Sequence, residues 1–358
     1  MNRTFHSIII FSLLFTLFTG LSIACTSSPI EIFETDTIPD QQDFRSAEEI
    51  NRILGKGVNL GNALEAPTEG EWGMTIEKEY FKLIKDAGFQ SVRIPIRWSA
   101  HTNSNSPYKI DAGFMERVDQ VVGWALDQNL AVMMNIHHFN ELMNEPNQHK
   151  QKFLSIWNQV ARHFKDHPEL VVFEVLNEPH SNLETDLWNS FLQDAINTIR
   201  ESNPNRVLVA GTAPWGGFDE IRSLNLPEAD RQIIVTVHYY NPFQFTHQGA
   251  EWVEDNSDSW LGTTWTATED QINDVNSDFD AVDLWSEQND RPVHVGEFGA
   301  YSRAPESSRI IWTKYIRTAA DERNFSWAYW EFGAGFGVYD RGNEVWRSGL
   351  LDALINED

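Results

Sequence analysis

The chain has 358 residues, with 53 acidic against 27 basic side chains and a net charge of −26. That balance excludes a nucleic-acid binder, and a composition 41% hydrophobic and 22% charged excludes disorder throughout. Fourteen Trp, twenty-two Phe and eight Tyr among so many carboxylates suit a neutral, hydroxyl-rich ligand.

Arg3, an apolar run over 8–18 and Ser22-Ile23-Ala24 predict a signal peptide over 1–24. The run is too short and too interrupted by Ser and Thr to span a bilayer. Small residues followed by Cys25 resemble a bacterial lipobox, which makes Cys25 the expected lipid attachment point and the membrane a partner through that anchor. Ser22 stands where that motif usually carries Leu, and Ser22-x-Ala24 also fits simple secretion. Either route places the protein outside the cytoplasm, secreted or in the cell envelope. Cys25 is the single cysteine, so no disulfide forms within the chain. Residues 25–42 carry Glu31, Glu34, Asp36, Asp40 and two prolines without apolar periodicity, and read as an acidic linker.

From 43 to 358 a single domain is expected. Short β-branched or apolar runs predict strands over 57–60, 91–96, 131–136, 170–176, 207–210, 233–237, 292–295 and 326–330. Helical periods fall between them, among them 76–87, 114–127, 149–164 and 186–200. After Thr268, the residues Ile272, Val275, Phe279, Val282 and Trp285 mark one apolar helix face. The acidic residues there do not make a calcium loop, because Phe279 occupies the place where an EF-hand needs Gly; no metal is expected. Eight strand-then-helix units predict an α/β fold, a (β/α)8 TIM barrel. The open doubly wound sheet loses support because Gly55-Lys56-Gly57 lacks a third glycine at fingerprint spacing. No P-loop, G-x-S-x-G elbow or HExxH is present.

In such a barrel, chemistry belongs to residues at the C-terminal ends of strands. Here those ends read Arg93 and Arg97-Trp98, His137-His138, Asn177-Glu178-Pro179-His180, His238-Tyr239-Tyr240, Glu297 and Trp330-Glu331. Glu178 and Glu297 stand out, since hydrolysis of an acetal between sugars needs two carboxyl groups flanking the bond. Glu174 lies four residues before Glu178, on the same side of its strand and lower in the barrel; a buried carboxylate needs a partner, and Arg93 is the expected one.

Leu176-Asn177-Glu178-Pro179, His137-His138, His238-x-Tyr240, Gly296-Glu297-Phe298-Gly299, Val92-Arg93-Ile94-Pro95 and Trp327-Ala328-Tyr329-Trp330 together resemble glycoside hydrolase family 5. The segments 57–65, 242–252 and 335–340 sharpen the likeness toward its compact bacterial endoglucanases, some of which also cut β-mannan. The resemblance implies a retaining double displacement on β-1,4-glucan, with Glu178 as acid/base and Glu297 as nucleophile, their carboxyls roughly 5 to 5.5 Å apart. Glu178 would then need surroundings that disfavour its charge, and Glu297 a cation such as Arg93. Asn177 would bond the sugar 2-hydroxyl, Tyr240 donate to Glu297, His238 orient Glu178 or touch the sugar, and His137 line the site beside Arg93. Trp330 would be the platform beneath the sugar, with a cis peptide to Glu331. Asn62, Glu65 and His138 would bind glycone hydroxyls, with His247 and Trp252 further along the cleft; Trp72, Trp215 and Trp265 are weaker candidates. No cofactor is required, and a monomer is expected. The rival readings are a dedicated β-mannanase, a mixed-linkage or xyloglucan glucanase, and a non-catalytic surface glycan-binding protein, which would have no need of both carboxylates.

Overall fold

Strands of a parallel sheet are covered on both faces, so their residues must be apolar or internally paired. The computed structural model, which describes residues 44–253 and 256–356, meets that demand with eight short strands. They are β1 (Lys56–Asn59), β2 (Ser91–Ile94), β3 (Ala131–Asn135), β4 (Val171–Glu174), β5 (Leu208–Gly211), β6 (Ile233–Tyr239), β7 (Val293–Phe298) and β8 (Ser326–Tyr329). All are parallel and pair in sequence order, with β8 returning to β1 to close the barrel. The expected (β/α)8 architecture is therefore observed. The chain divides into 1–43 and 44–358; the expected signal peptide, linker and Cys25 lie outside the described residues.

The four helices named from periodicity run over Lys78–Asp86, Ala112–Asp127, Pro146–His163 and Thr185–Arg200. The acidic stretch is the helix Glu269–Asn289, capped by Thr268 and buried along Val275, Phe279, Val282 and Trp285. One expected unit differs. Between β5 and β6 the longest helical piece is a 3-10 turn, Phe218–Ser223, because Pro214, Gly216, Gly217 and Pro227 punctuate the segment.

A helix not foreseen from periodicity, Ala47–Leu54, starts at a capping box made by Ser46 and Glu49. Its buried face of Ala47, Ile50 and Leu54 packs on Ala131, Met133, Val172, Val207, Val209 and Ile234, plugging the N-terminal end of the barrel. Asn51 latches it there: its amide donates to the Val293 carbonyl at 3.1 Å, and its oxygen accepts from the Ser326 hydroxyl at 2.6 Å. With one end plugged, a ligand reaches the interior from the other. No helix among the described residues is long and apolar enough to cross a membrane.

Asn51→Ala strips a buried carbonyl of its donor and opens space under the plug. It is expected to lower stability by about 1–3 kcal/mol, read as a lower urea midpoint.

Candidate active site

Alternation along the strands turns Asn59, Arg93, Asn135 and Glu174 toward the barrel axis, and the register sets Asn59 beside Arg93 and Asn135 beside Glu174. Arg93 is fully buried and has five N–H groups to satisfy. Nε and Nη2 donate to the two oxygens of Glu174 at 2.6 and 2.7 Å. Nη1 donates to Glu297 Oε1 at 2.7 Å and to Asn59 Oδ1 at 2.8 Å, and Nη2 to Asn177 Oδ1 at 2.7 Å. Every donor is used. The expected Arg93–Glu174 pair is present, and it carries the upper layer of the site with it.

Two asparagines brace this layer. The Asn59 amide donates to the carbonyls of Gly296 and Ala328, tying β1 to β7 and β8. The Asn135 amide lies between Glu174, at 3.4 Å, and His137 Nδ1, at 3.2 Å. Neither was singled out beforehand, although Asn135 lies two residues before His137 and so shares its side of β3. Burial, with His138 and Arg93 nearby, holds His137 well below the usual imidazole range, so it stays neutral.

Above the arginine stand the two carboxylates. Glu297 receives the Tyr240 hydroxyl on Oε2 at 3.0 Å, opposite the oxygen that faces Arg93. The register between β6 and β7 shifts at Val237 and His238, bringing His238 level with Glu297. Gly296 permits this closeness: a Cβ there would sit 2.6 Å from Thr236 Oγ1 and 3.0 Å from His238 Nε2. His238 Nδ1 lies 2.7 Å from Glu178 Oε1 and 3.8 Å from Glu297 Oε2. Oxygens of Glu178 and Glu297 lie within 4.8 Å of one another. The Glu178 side chain is 22% exposed and that of Glu297 is 6%, so Glu178 is the one facing the cleft mouth.

The charges do not fall as the sequence led us to expect. Burial raises the Glu178 carboxyl, but the hydrogen bond and charge of His238 outweigh it and leave it below the usual carboxylate range. Glu297 is above that range: burial raises it, His238 and Arg93 lower it, and the Glu178 charge raises it again. Burial lowers His238, yet Glu297 and Glu178 together hold it above the ordinary imidazole value. The physical reason is that His238 lies between two anions, whose charges favour its cation. Glu178–COOH facing neutral His238 and Glu178–COO⁻ facing its cation carry the same number of protons, so the acid form is one transfer over 2.7 Å away.

Trp330 stands half-buried over the ring of His137, nearly parallel at 6.0 Å, and its peptide to Glu331 is cis as expected. Glu331, fully buried, accepts the N–H groups of Gly333, Ala334 and Phe336 and so shapes the loop after β8. Burial pushes its carboxyl up to about 7. Glu65 does the same after β1: it is buried, takes the N–H groups of Asn62 and Ala63, and is raised by burial to about 8. The expected sugar ligand is thus also what holds the Asn62 turn. Asn62 and His138 are half-buried with left-handed φ of 65° and 49°. His138 is lowered by burial to about 4. Behind Tyr240, His247 stacks on Phe243 at 4.0 Å, and burial lowers it to about 4.

Trp252 is 57% exposed and packs against Tyr301 edge-on and against Phe336 at a tilt. Trp72 and Trp215 are also exposed. Trp265 is a correction: it is 1% exposed and packs against Tyr315, so it belongs to the core.

A parallel (β/α)8 barrel with two close carboxylates over a buried arginine is the architecture of a carboxylate-pair glycoside hydrolase. The profile of Cellulase (glycosyl hydrolase family 5) matches residues 54–335, and the chain belongs to that family. It is 36% identical to Endoglucanase H of Acetivibrio thermocellus over 93% of this chain, although it spans only 36% of that relative's length. With Endoglucanase B of Clostridium cellulovorans it shares 30% identity over 84% of this chain and 73% of the relative. Among solved structures, endoglucanase Cel5A of Thermotoga maritima is 50% identical with a TM-score of 0.85, covering 87% of this chain and 100% of that one. The same enzyme in complex with mannotriose and with cellobiose aligns equally well.

Arg93→Ala leaves Glu174 buried without its cation. The variant is expected to lose about 3–5 kcal/mol in urea unfolding, far more than an exposed arginine would.

Proposed function

We propose that the protein is a retaining endo-β-1,4-glucanase that cuts internal bonds of cellulose-like chains. The observation that carries this is the spacing of Glu178 and Glu297, whose oxygens lie within 4.8 Å. Inverting enzymes hold their carboxyls roughly 6.5–9.5 Å apart to admit a water, whereas direct attack needs the shorter span.

In the first step a Glu297 oxygen bonds to the anomeric carbon while the Glu178 carboxyl gives its proton to the departing glycosidic oxygen, and the C–O bond breaks. In the second, Glu178 takes a proton from water, whose oxygen bonds to the same carbon; the ester to Glu297 breaks and both groups return to their starting forms. Arg93 and Tyr240 hold one Glu297 oxygen each, which orients the nucleophile and stabilises its charge. Asn177 accepts from Arg93 through its oxygen, so its NH₂ is left for the 2-hydroxyl, where a contact strengthens in the transition state. His238 supplies the proton that makes Glu178 an acid. The ring of Trp330 supports the sugar at the cleaved bond, with Asn62, Glu65 and His138 toward the glycone and His247 and Trp252 along the cleft.

A second activity, on β-mannan, is favoured by the mannotriose complex of the 50% identical relative. A glycan-binding role without catalysis leaves the paired carboxylates unexplained. Export, with Cys25 as the lipidated first residue, rests on the apolar 8–18 run and the small residues before Cys25.

On carboxymethyl cellulose, Glu178→Ala is expected to lower reducing-sugar release by about 10²- to 10⁴-fold, and Glu297→Ala to bring it to background; release equal to wild type from both would defeat the mechanism. Wild type assayed beside them on mannan reads the second activity. His238→Ala is expected to move the alkaline limb of kcat/KM to lower pH. In the wild type the last proton is shared by two sites and leaves only above the pKa of either; without His238 it sits on Glu178 alone. For the anchor, the intact mass of the mature N-terminus is expected to show acylated Cys25, and an unmodified thiol there would refute it.

A further inference from the structure

Glu178 sits in a backbone conformation that side chains resist, with φ 43° in the left-handed region. Two bonds hold the segment there. The His180 Nδ1–H donates to the Glu178 carbonyl at 2.7 Å, and the Trp215 N–H donates to the Pro179 carbonyl at 3.0 Å. The His180 ring lies flat on Trp215, with centroids 3.7 Å apart and planes 12° from parallel. Trp215 belongs to the same turn as Gly216, whose carbonyl receives the His238 N–H at 2.8 Å. That glycine has φ 67°, and a Cβ on it would come 3.2 Å from His238 Cγ. One turn after β5 thus supports the imidazole that faces the Glu178 carboxyl, while His180, pressed on that turn, grips the Glu178 carbonyl.

We infer that His180 is a positioning residue for acid catalysis: by clamping the Glu178 carbonyl it fixes the carboxyl at the leaving oxygen. It makes no bond to a reacting atom in this role. A rotation of the 178–179 peptide would swing the carboxyl away from His238, and displacements of about 1 Å can cost 10²-fold. The inference rests on the proposed assignment of Glu178 as the acid.

Two substrates separate this from a merely structural role. Cellotetraose needs a proton on its leaving oxygen, whereas 2,4-dinitrophenyl β-cellobioside releases a phenolate that needs none. His180→Phe keeps the stack on Trp215 and removes the donor. Its kcat/KM is expected to fall about tenfold or more on cellotetraose, within the scale of general-acid catalysis, and to stay within about twofold on the dinitrophenyl substrate. His180→Asn, which restores an N–H donor, is expected to recover most of the loss, and melting curves of both variants check folding. Equal losses on the two substrates, or no loss on cellotetraose, would overturn the inference. Glu178→Ala is the control for the underlying reading: it should lose cellotetraose and keep the dinitrophenyl kcat/KM. If it keeps both, the acid assignment has failed and the clamp with it.

Discussion

The guanidinium of Arg93 is the constraint on which the rest of the structure depends. A cation buried inside a barrel is tolerated only if anions and acceptors meet all of its donors. Glu174, Glu297, Asn59 and Asn177 do so, and they come from three strands: β1, β7 and, for Glu174 and Asn177, β4 and its end. The same five bonds that make the charge tolerable also fix the spatial relation of Glu297 to Asn177, and through Asn59 they reach the β7 and β8 backbones. Stability and the geometry of the cleft therefore share one set of contacts. Changing Glu174, which never reaches the cleft, disturbs both.

Above that rigid layer the site is deliberately less settled in charge. Two carboxylates and an imidazole within 4.8 Å cannot all be ionised comfortably, so a proton is shared among them. The two anions favour His238 as its holder. Under the proposed mechanism, a short proton shift over the 2.7 Å to Glu178 is all the arrangement needs to present a carboxylic acid. Tyr240 keeps its own proton, because burial and the neighbouring Glu297 and Glu178 raise it well above the usual phenol range.

Much of this was legible along the chain. Short β-branched or apolar runs and their spacing announced eight strands, and the polar residues at six of the strand ends marked the working face. The four-residue interval from Glu174 to Glu178 was enough to pair Glu174 with Arg93. Short elements were harder: Ala47–Leu54 is only eight residues long, and its role as a plug is visible only against the strands it covers. Trp265 could not be told from Trp252, since an aromatic on a loop serves equally as platform or as core until its neighbours are known.

The sequence by itself determined the barrel, through its local apolar runs, and the family, through the motifs it resembles at the strand ends, and it singled out Glu178 and Glu297 there. Only the tertiary structure decided that His238 stands between the two carboxylates, that Glu65 and Glu331 are spent on backbone N–H groups, and that His180 reaches the Glu178 carbonyl. Such facts depend on distances between residues far apart in the chain and on how much water surrounds them, and linear order encodes neither.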